Sequence, residues 1–298
     1  MTISKTRVSN TKQQSWYGQK QAQRLGDILV YIVLSITGII FILPFAWMVA
    51  NSLKTIKGIF QYPPSFLPDG PLQFNNYIEA WNATPFNTFF LNSVIVAACV
   101  VVGQLFTASL AGYSFARLRY PGRDKIFLLY ISLLMVPFTV LLIPLYVQMR
   151  QLGWVNSLWA VIVPFLFTPW GTFMMRQFMV TIPRELEDAA RIDGCGFFRT
   201  YWLIILPLTK PALATLAIFT FVNTWNSFQW PLIVLGTQDV KTLPLGLASF
   251  QAQSAMRTPW HYILAASTFV VIPVLVAFVL GQKYYVRGIV TTGIKGGG

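Results

Sequence analysis

The sequence predicts an all-α, polytopic membrane protein with six transmembrane helices. Of its 298 residues, 55% are hydrophobic and only 10% are charged, whereas a soluble domain has about 25% charged residues. The mean hydropathy is +0.58. Six apolar stretches are each long enough to supply the roughly 20 residues that a helix needs to cross the hydrocarbon core. The bilayer is therefore the expected solvent of this chain.

The six stretches contain no Asp, Glu, Lys or Arg, and they are residues 28–53, 89–116, 126–149, 151–175, 211–238 and 258–282. Arg150 alone separates the third stretch from the fourth, with Gln151-Leu152-Gly153 as the predicted turn. These two stretches could instead form one very long buried element. Their lengths favour two spans joined by a short hairpin.

Prolines and small residues within the stretches predict how the helices pack. Neighbouring helices can satisfy the carbonyls that a proline frees in a membrane, so we expect kinks within a packed bundle. Small residues on the second span allow other helices to approach closely. The prolines are Pro44, Pro137, Pro144, Pro164, Pro169, Pro231 and Pro273, and the small residues are Ala97, Ala98, Gly103, Ala108, Ser109, Ala111 and Gly112.

Lysine and arginine are distributed unequally between the two sides of the predicted membrane. With the N-terminus in the cytoplasm, 17 of the 22 basic residues fall in cytoplasmic segments and the remaining 5 fall on the other side. Cytoplasmic loops carry such an excess, so both termini are predicted to be cytoplasmic. Residues 1–26 form a polar segment, and the long apolar run after it lacks a small-residue cleavage site, which predicts a retained helix. The asymmetry accounts for the net charge of +13 without nucleic acid as a partner.

The chain lacks the groups that would drive transport by itself. Ion-coupled transporters place ionisable residues at mid-membrane, but the interiors of the six stretches have no carboxylate or amine. His261 lies near the outer end of the last span, where an interfacial imidazole is expected. The sequence has no GxxxxGK[ST] motif for nucleotide binding. Neither a catalytic constellation nor a metal cluster is evident, and no disulfide is expected between Cys99 and Cys195.

Residues 181–207, between the fourth and fifth spans, predict two short helices at the cytoplasmic mouth. Pro183 suits a first helical turn, and the acids that follow complement the helix dipole. Gly194 permits a break, an aromatic run then predicts a second helix, and Pro207 is expected to open the next span. An amphipathic helix of this kind can rest on the membrane or fill a groove on a partner. The residues alone leave both possibilities open.

The same segment resembles the EAA loop of bacterial ABC-importer permeases. That loop has the pattern EAA, three residues, Gly, nine residues, Ile-x-Leu-Pro. This chain has Asp188-Ala189-Ala190, then Gly194, then Ile204-Ile205-Leu206-Pro207, with each spacing kept and Asp in place of the first Glu. The variant Ile192-Asp193-Gly194 is similar to that of the carbohydrate-uptake branch, which includes the maltose and glycerol-phosphate systems.

Further short motifs extend the resemblance along nearly the whole chain. They are Leu43-Pro44-Phe45-Ala46-Trp47, Asn51-Ser52-Leu53-Lys54, Asn92-Ser93, residues 111–117, Ile143-Pro144-Leu145-Tyr146, Trp225-Asn226, Pro231-Leu232-Ile233 and the glycine-rich tail. The resemblance implies a type I ABC importer permease fold. It divides the chain into a cytoplasmic segment (1–26), a permease domain (27–285) and a cytoplasmic tail (286–298).

In that family the EAA loop is a coupling helix that docks in a cleft on a cytoplasmic ATPase. The resemblance implies a second homologous permease in a heterodimer, two ATPase subunits that hold ATP and Mg, and a periplasmic or lipid-anchored solute-binding protein. It places the chain in the bacterial cytoplasmic (inner) membrane, with no cofactor, metal or enzymatic activity of its own. Docking is assigned to Glu187, Asp188, Ala189, Ala190, Asp193 and Gly194.

Two further sites are expected. The tail could reach between the ATPase subunits through Gly293, Lys295 and Gly296, unless it is simply disordered. The fifth span carries groups that suit sugars, which stack on aromatic rings and accept amide hydrogen bonds. A translocation path is therefore predicted at Asn223, Trp225, Asn226, Phe228 and Gln229. Interhelical hydrogen bonds plus an interfacial aromatic belt are the alternative.

The sequence leaves open both the transported solute and the role of the chain. A sugar or oligosaccharide moved by alternating access is the first expectation. A permease of the same fold for glycerol phosphate or a polyol is the second. A membrane scaffold or regulatory subunit without a solute path is a third possibility, from another class. The outer loops, 60–81 and 239–260, are expected to contact the solute-binding protein.

Overall fold

The structure, a computed structural model, describes the backbone of residues 5–68, 70–253 and 259–293. It describes the side chains of residue 24 and of residues 26–68, 70–250 and 259–282. The regular elements within these residues are all helical. The chain divides into two compact units, Met1–Gln73 and Phe74–Gly298.

The first unit contains α1 (Lys5–Ser52) and α2 (Ile56–Ile59). Pro44 lies inside α1 without ending it. After the helix, the Lys54 Nζ donates to the carbonyl of Ser65 and lies 5.3 Å from the centroid of the Trp47 ring. The Gln73 N–H donates to the carbonyl of Leu53 over 2.9 Å. These bonds fold the segment after α1 back onto the end of that helix.

The second unit contains thirteen α-helices among its described residues. In chain order they are α3 (Asn75–Asn82), α4 (Phe86–Arg117), α5 (Arg123–Ser132), α6 (Phe138–Gln151), α7 (Trp159–Ile162), α8 (Pro169–Val180), α9 (Glu185–Ile192), α10 (Phe197–Thr200), α11 (Leu206–Leu208), α12 (Lys210–Trp225), α13 (Gln229–Val234), α14 (Leu243–Gln253) and α15 (Trp260–Gly293). A π-helical segment, Tyr201–Ile205, joins α10 to α11. We call the resulting continuous helix, Phe197–Leu208, the second loop helix.

Three described helices are long and apolar enough to cross a membrane: Gly26–Ser52, Phe86–Arg117 and Trp260–Gln282. They match the first, second and sixth predicted spans. Two bent helix pairs, Arg123–Met135 with Phe138–Gln151 and Phe197–Leu208 with Lys210–Trp225, also pass this test of length and composition, and the number of spans rises to five if each pair is counted as one. The prediction of an all-α, polytopic membrane protein is therefore confirmed.

The expectation that the prolines only kink continuous spans is wrong for the third span. The two helices of this pair meet at an angle of 99°. Pro137 has no N–H to continue the hydrogen-bond ladder, and it disfavours helical geometry in the residue before it. Val136 accordingly has an extended backbone, with ψ of 114°. A proline at this position breaks the span into two helices.

The fourth and fifth spans are also interrupted. After α6 the chain turns at Gly153, which has φ of +69°, at the position where the sequence predicts a turn. The predicted fourth span, 151–175, is divided into α7, a 3₁₀ turn (Val163–Phe165) and the start of α8, with the extended residue Thr168 before Pro169. The predicted fifth span, 211–238, is divided between α12 and α13.

Helix α4 packs against α8 and α12, and the small residues predicted on this span allow the close approach. A Cβ added at Gly112 would lie 2.7 Å from the Met175 Cβ and 3.0 Å from the Arg176 amide nitrogen. A real side chain does not fit at such distances. The glycine at position 112 therefore brings the backbones of α4 and α8 together.

Gly112→Ala is expected to weaken this packing. Overpacking of a core costs about 1–3 kcal/mol, because neighbouring backbone must move. The measurement is the thermal unfolding midpoint of the detergent-solubilised chain. Gly38→Ala on α1 is the matched control, because an added Cβ there meets no atom within 4 Å. Equal midpoints for the two variants would contradict the predicted close contact.

Candidate functional site

Helix α9 is the first half of the loop that resembles the EAA segment. Glu185, Glu187 and Asp188 lie in its first turn and Arg191 in its last, an order of charges that stabilises the helix dipole. Two residues after α9 ends, the chain turns at Gly194, whose φ of +77° glycine adopts without steric cost. The sequence-based prediction of a helix that breaks at this glycine is confirmed.

The second loop helix follows the turn and differs from the prediction at its end. It was expected to finish before Pro207, with that proline opening the next span. Pro207 instead lies inside α11, and the next helix begins at Lys210 after a bend of 76°. Proline within a helix removes one backbone hydrogen bond and disfavours continuation of the helix, and here the helix stops one residue later.

The six residues assigned to docking lie on two different sides of the loop. Asp188, Ala189, Asp193 and Gly194 are exposed. Glu187 and Ala190 are only 6% and 4% exposed, since they face the rest of the same chain. The exposed side also carries Ile192, which is 88% exposed.

The buried side of α9 is held by an ion pair with the end of α4. The Arg117 Nε lies 3.1 Å from the Glu187 Oε1, and the two side chains are 2% and 8% exposed. The Arg117 Nη2 also donates to the carbonyl of Ile182 over 2.5 Å. The sequence indicates Arg117 only as a cytoplasmic charge and as the last residue of the family motif 111–117. No local pattern indicates a partner 70 positions away.

The second loop helix is held by two hydroxyl groups of α4. The Tyr113 hydroxyl donates to the carbonyl of Phe197 over 3.3 Å, and its ring centroid lies 5.2 Å from that of Tyr201. The Ser109 and Tyr201 hydroxyls are hydrogen bonded at 2.7 Å. Both halves of the loop are thus attached to the last turns of one helix.

Arg176 on α8 forms a separate contact beside this loop. Its guanidinium lies 3.6 Å from the Asp124 carboxylate, donates to the carbonyl of Phe115 over 3.2 Å and stacks 4.2 Å from the Phe127 ring centroid. Asp124 is itself paired with Arg123. These contacts connect α8 to the end of α4 and to the start of α5.

The predicted translocation residues lie where α12 ends. Asn223, Asn226, Phe228 and Gln229 are exposed, whereas Trp225 is 2% exposed. A cavity of about 140 Å³ at this place is lined by Asn223, Thr224, Ser227, Thr242, Val96, Val161, Phe165, Trp230 and Pro231. The residues therefore divide into an exposed polar group and one buried aromatic ring.

The Trp225 side chain packs inside the protein, against residues of other helices and of its own helix. Its Nε1 donates to the carbonyl of Val270 on α15 over 3.0 Å, and its ring lies 5.4 Å from the Phe221 centroid and 5.8 Å from that of Phe90. The tail residue Gly293 is the last of α15. Lys295 and Gly296 lie outside the described residues.

The N-terminal end of α4 is also connected by polar side chains. The Asn92 Nδ2 donates to the carbonyls of Asp239 and Lys241 over 2.9 and 3.0 Å, and the Ser93 Oγ accepts from the Leu243 N–H over 2.7 Å. The Asn-Ser pair that belongs to the family resemblance thus fixes the start of the predicted outer loop 239–260.

Comparison with known proteins identifies the family. Residues 104–291, more than half of the chain, match the family described as "Binding-protein-dependent transport system inner membrane component". The arabinooligosaccharides transport system permease protein AraQ of Halalkalibacterium halodurans is 39% identical over 230 residues, which cover 76% of this chain and 80% of that protein. The sn-glycerol-3-phosphate transport system permease protein UgpE of Yersinia pestis is 34% identical over 271 residues, with coverages of 89% and 96%.

A solved structure has the same fold. One chain from the crystal structure of a bacterial ABC transporter involved in the import of the acidic polysaccharide alginate matches with a TM-score of 0.76 at 22% identity, over 89% of this chain and 98% of that one. The long apolar helices of the structure are consistent with the family description, which is that of a membrane component. This chain is a multi-pass membrane protein and belongs to the family of inner membrane components of binding-protein-dependent transport systems.

Proposed function

We propose that this chain is one permease subunit of an ATP-driven importer that moves a sugar or oligosaccharide across the cytoplasmic membrane by alternating access. The family description supports the role in a binding-protein-dependent importer. The arabinooligosaccharide relative supports a carbohydrate cargo. Both termini lie in the cytoplasm, in keeping with the excess of basic residues on that side.

The exposed side of α9 is the observation that carries this proposal. Asp188, Ala189 and Asp193 are open to a partner, while the opposite side of the helix is fixed by the buried Arg117–Glu187 pair. A short helix that is held on one side and free on the other suits a groove on a partner. The exposed side chain of Ile192 adds an apolar contact to this surface, which the acidic side chains do not provide.

The partner at this surface is a cytoplasmic ATPase, present as two subunits that bind ATP and Mg. The sequence of this chain has no GxxxxGK[ST] motif, so hydrolysis takes place on the partner. Asp188, Ala189, Asp193 and Gly194 form the docking surface. Glu187 and Ala190, which are buried, hold the helix in position. The tail residues Gly293, Lys295 and Gly296 reach between the ATPase subunits.

The remaining partners are a second, homologous permease and a solute-binding protein that meets the outer loops. The exposed amides Asn223, Asn226 and Gln229, with the Phe228 ring, line the path. Amide groups donate to and accept from hydroxyls, and an aromatic ring stacks on the apolar face of a sugar. Trp225 does not line the path; its hydrogen bond to α15 holds the end of α12 in position beside it.

Glycerol phosphate is the second candidate cargo, and the similarity to the sn-glycerol-3-phosphate permease favours it. The strong hydrogen bonds to a phosphate are charge-assisted ones from cationic groups. The residues proposed for the path supply amides and an aromatic ring but no cation. An uncharged saccharide therefore suits them better.

The test is reconstitution of the complete transporter from its native gene neighbourhood. The chain is expected to purify with a second permease and an ATPase, and hydrolysis is expected to rise when a saccharide-loaded binding protein is added. A thermal-shift screen of the binding protein against saccharides, polyols and glycerol phosphate identifies the ligand. Purification of the chain alone from active membranes would contradict the proposal, and stimulation by glycerol phosphate alone would favour the second candidate.

A further inference from the structure

Three residues on the last turns of α4 form one continuous attachment site for the loop. Ser109, Tyr113 and Arg117 are spaced four residues apart and are therefore on the same face of the helix. They are 1%, 5% and 6% exposed. We call them the α4 stripe.

Arg117 holds the beginning of α9 at two points. One guanidinium nitrogen pairs with the Glu187 carboxylate, and another donates to the Ile182 carbonyl just before the helix. The planar guanidinium has several N–H groups in fixed directions, so it can make both contacts at once. The ammonium group of a lysine is a compact point charge and cannot reproduce this geometry. The start of α9 is therefore fixed in both position and orientation relative to α4.

Tyr113 and Ser109 hold the second loop helix in the same way. The hydroxyl of Tyr113 reaches the Phe197 carbonyl, and that of Ser109 reaches the Tyr201 hydroxyl. Among the residues that the structure describes, each side-chain hydrogen bond or ion pair that leaves α9 or the second loop helix goes to the α4 stripe or to the loop itself. The polar attachments of the loop are thus concentrated on α4.

The other end of α4 is attached to the outer loop. Asn92 and Ser93 bind the backbone of residues 239–243. Helix α4 has 32 residues, and at a rise of 1.5 Å per residue it is about 48 Å long. It contains no proline, so it has no break of the kind that interrupts the neighbouring spans. One unbroken helix therefore joins the loop at one membrane surface to the outer loop at the other.

We propose that Arg117, Tyr113 and Ser109 are positioning residues through which movement of α9 is transmitted along α4 to residues 239–243, the start of the outer loop. The inference rests on the proposed docking of α9 to an ATPase, and it adds the route by which that docking reaches the opposite side of the membrane. The buried Arg117–Glu187 pair is its main link. When one member of a buried pair is removed, the other is left as an uncompensated charge, so the attachment resists separation.

The experiment uses the complete transporter in proteoliposomes and measures solute uptake per ATP hydrolysed. The variants are Glu187→Gln and Arg117→Gln. Glu185→Gln and Arg119→Gln are matched controls, because these exposed residues lose the same charges nearby and are outside the stripe. In both variants, solute uptake per ATP hydrolysed is expected to decrease by a factor of about 5 to 150, the range that is typical of coupling between two sites. The controls are expected to match the unmodified transporter.

A double variant separates transmission from simple folding. Arg117→Gln combined with Glu187→Gln removes both charges, so no unpaired buried charge is left to destabilise the chain. If the pair serves only stability, the double variant recovers normal uptake per ATP. The proposal predicts that it assembles normally and remains uncoupled, because a neutral amide contact is weaker than a charge-assisted one.

The outcomes also separate this inference from the proposed docking. In each variant, a cysteine introduced at position 189 is expected to cross-link to the ATPase. Cross-linking with low uptake per ATP supports the inference. Cross-linking with normal uptake per ATP in the double variant overturns it and leaves docking intact. Absence of cross-linking in the otherwise unmodified chain overturns the docking proposal itself.

Discussion

Gly194→Asp is expected to leave the chain folded in the membrane and to abolish uptake. The glycine has φ of +77°, and an added Cβ would meet no atom of the chain within 4 Å. Asp is among the residues that tolerate this backbone region, and the left-handed conformation costs about 1–2 kcal/mol for an L residue. The new carboxylate would therefore project from the exposed turn into the proposed contact with the ATPase.

The measurement is uptake in membrane vesicles together with the amount of chain in the membrane. Gly194→Asn has nearly the same shape without the charge and tests the turn itself. Gly196→Asp adds the same charge two residues away, at an exposed glycine with ordinary backbone geometry. Full uptake by Gly194→Asp would remove this turn from the proposed docking surface.

Trp225→Ala is expected to destabilise the chain more than any substitution on the exposed end of α12. The side chain is 2% exposed, contacts two aromatic rings and donates to a carbonyl of α15. Loss of a large buried aromatic costs about 3–5 kcal/mol of unfolding free energy through the cavity that it leaves. The thermal midpoint of the purified chain measures it, with Trp159→Ala as the control because that ring is 60% exposed.

Asn226→Ala gives the opposite expected result. Its Nδ2 donates only to the Val222 carbonyl of the same helix among the described contacts, over 2.9 Å. Assembly and thermal midpoint are expected to stay unchanged while uptake falls, since the amide faces the proposed path. A loss of assembly with normal uptake in the assembled fraction would assign Asn226 to helix packing. Equal destabilisation by Asn226→Ala and Trp225→Ala would contradict both placements.

The parts of the fold that were predicted from the sequence are those with a local cause. An uninterrupted apolar run predicts a span, and α4 and α15 are continuous because α4 lacks proline and the single Pro273 of α15 is accommodated. The end of α9 at Gly194 was predicted from the conformational freedom of glycine. These features depend on the residue and its immediate neighbours.

The features that were not predicted depend on distant contacts or on competing local effects. Pro137 could kink a span or break it, and the sequence does not distinguish these outcomes. Glu187 was grouped with the docking acids because it stands beside Asp188, but helix periodicity turns it inward to Arg117. Trp225 was grouped with the path because of its polar neighbours, and its burial against α15 requires the tertiary structure.

The docking of α9 on an ATPase is tested most directly by cross-linking. In a chain with Cys99 and Cys195 replaced by serine, Ala189→Cys places one thiol on the exposed side of α9, and Thr237→Cys places one near the outer loop. A short thiol cross-linker is expected to join position 189, but not position 237, to the ATPase in the active complex. An active complex in which position 189 forms no such cross-link would contradict the proposed coupling site.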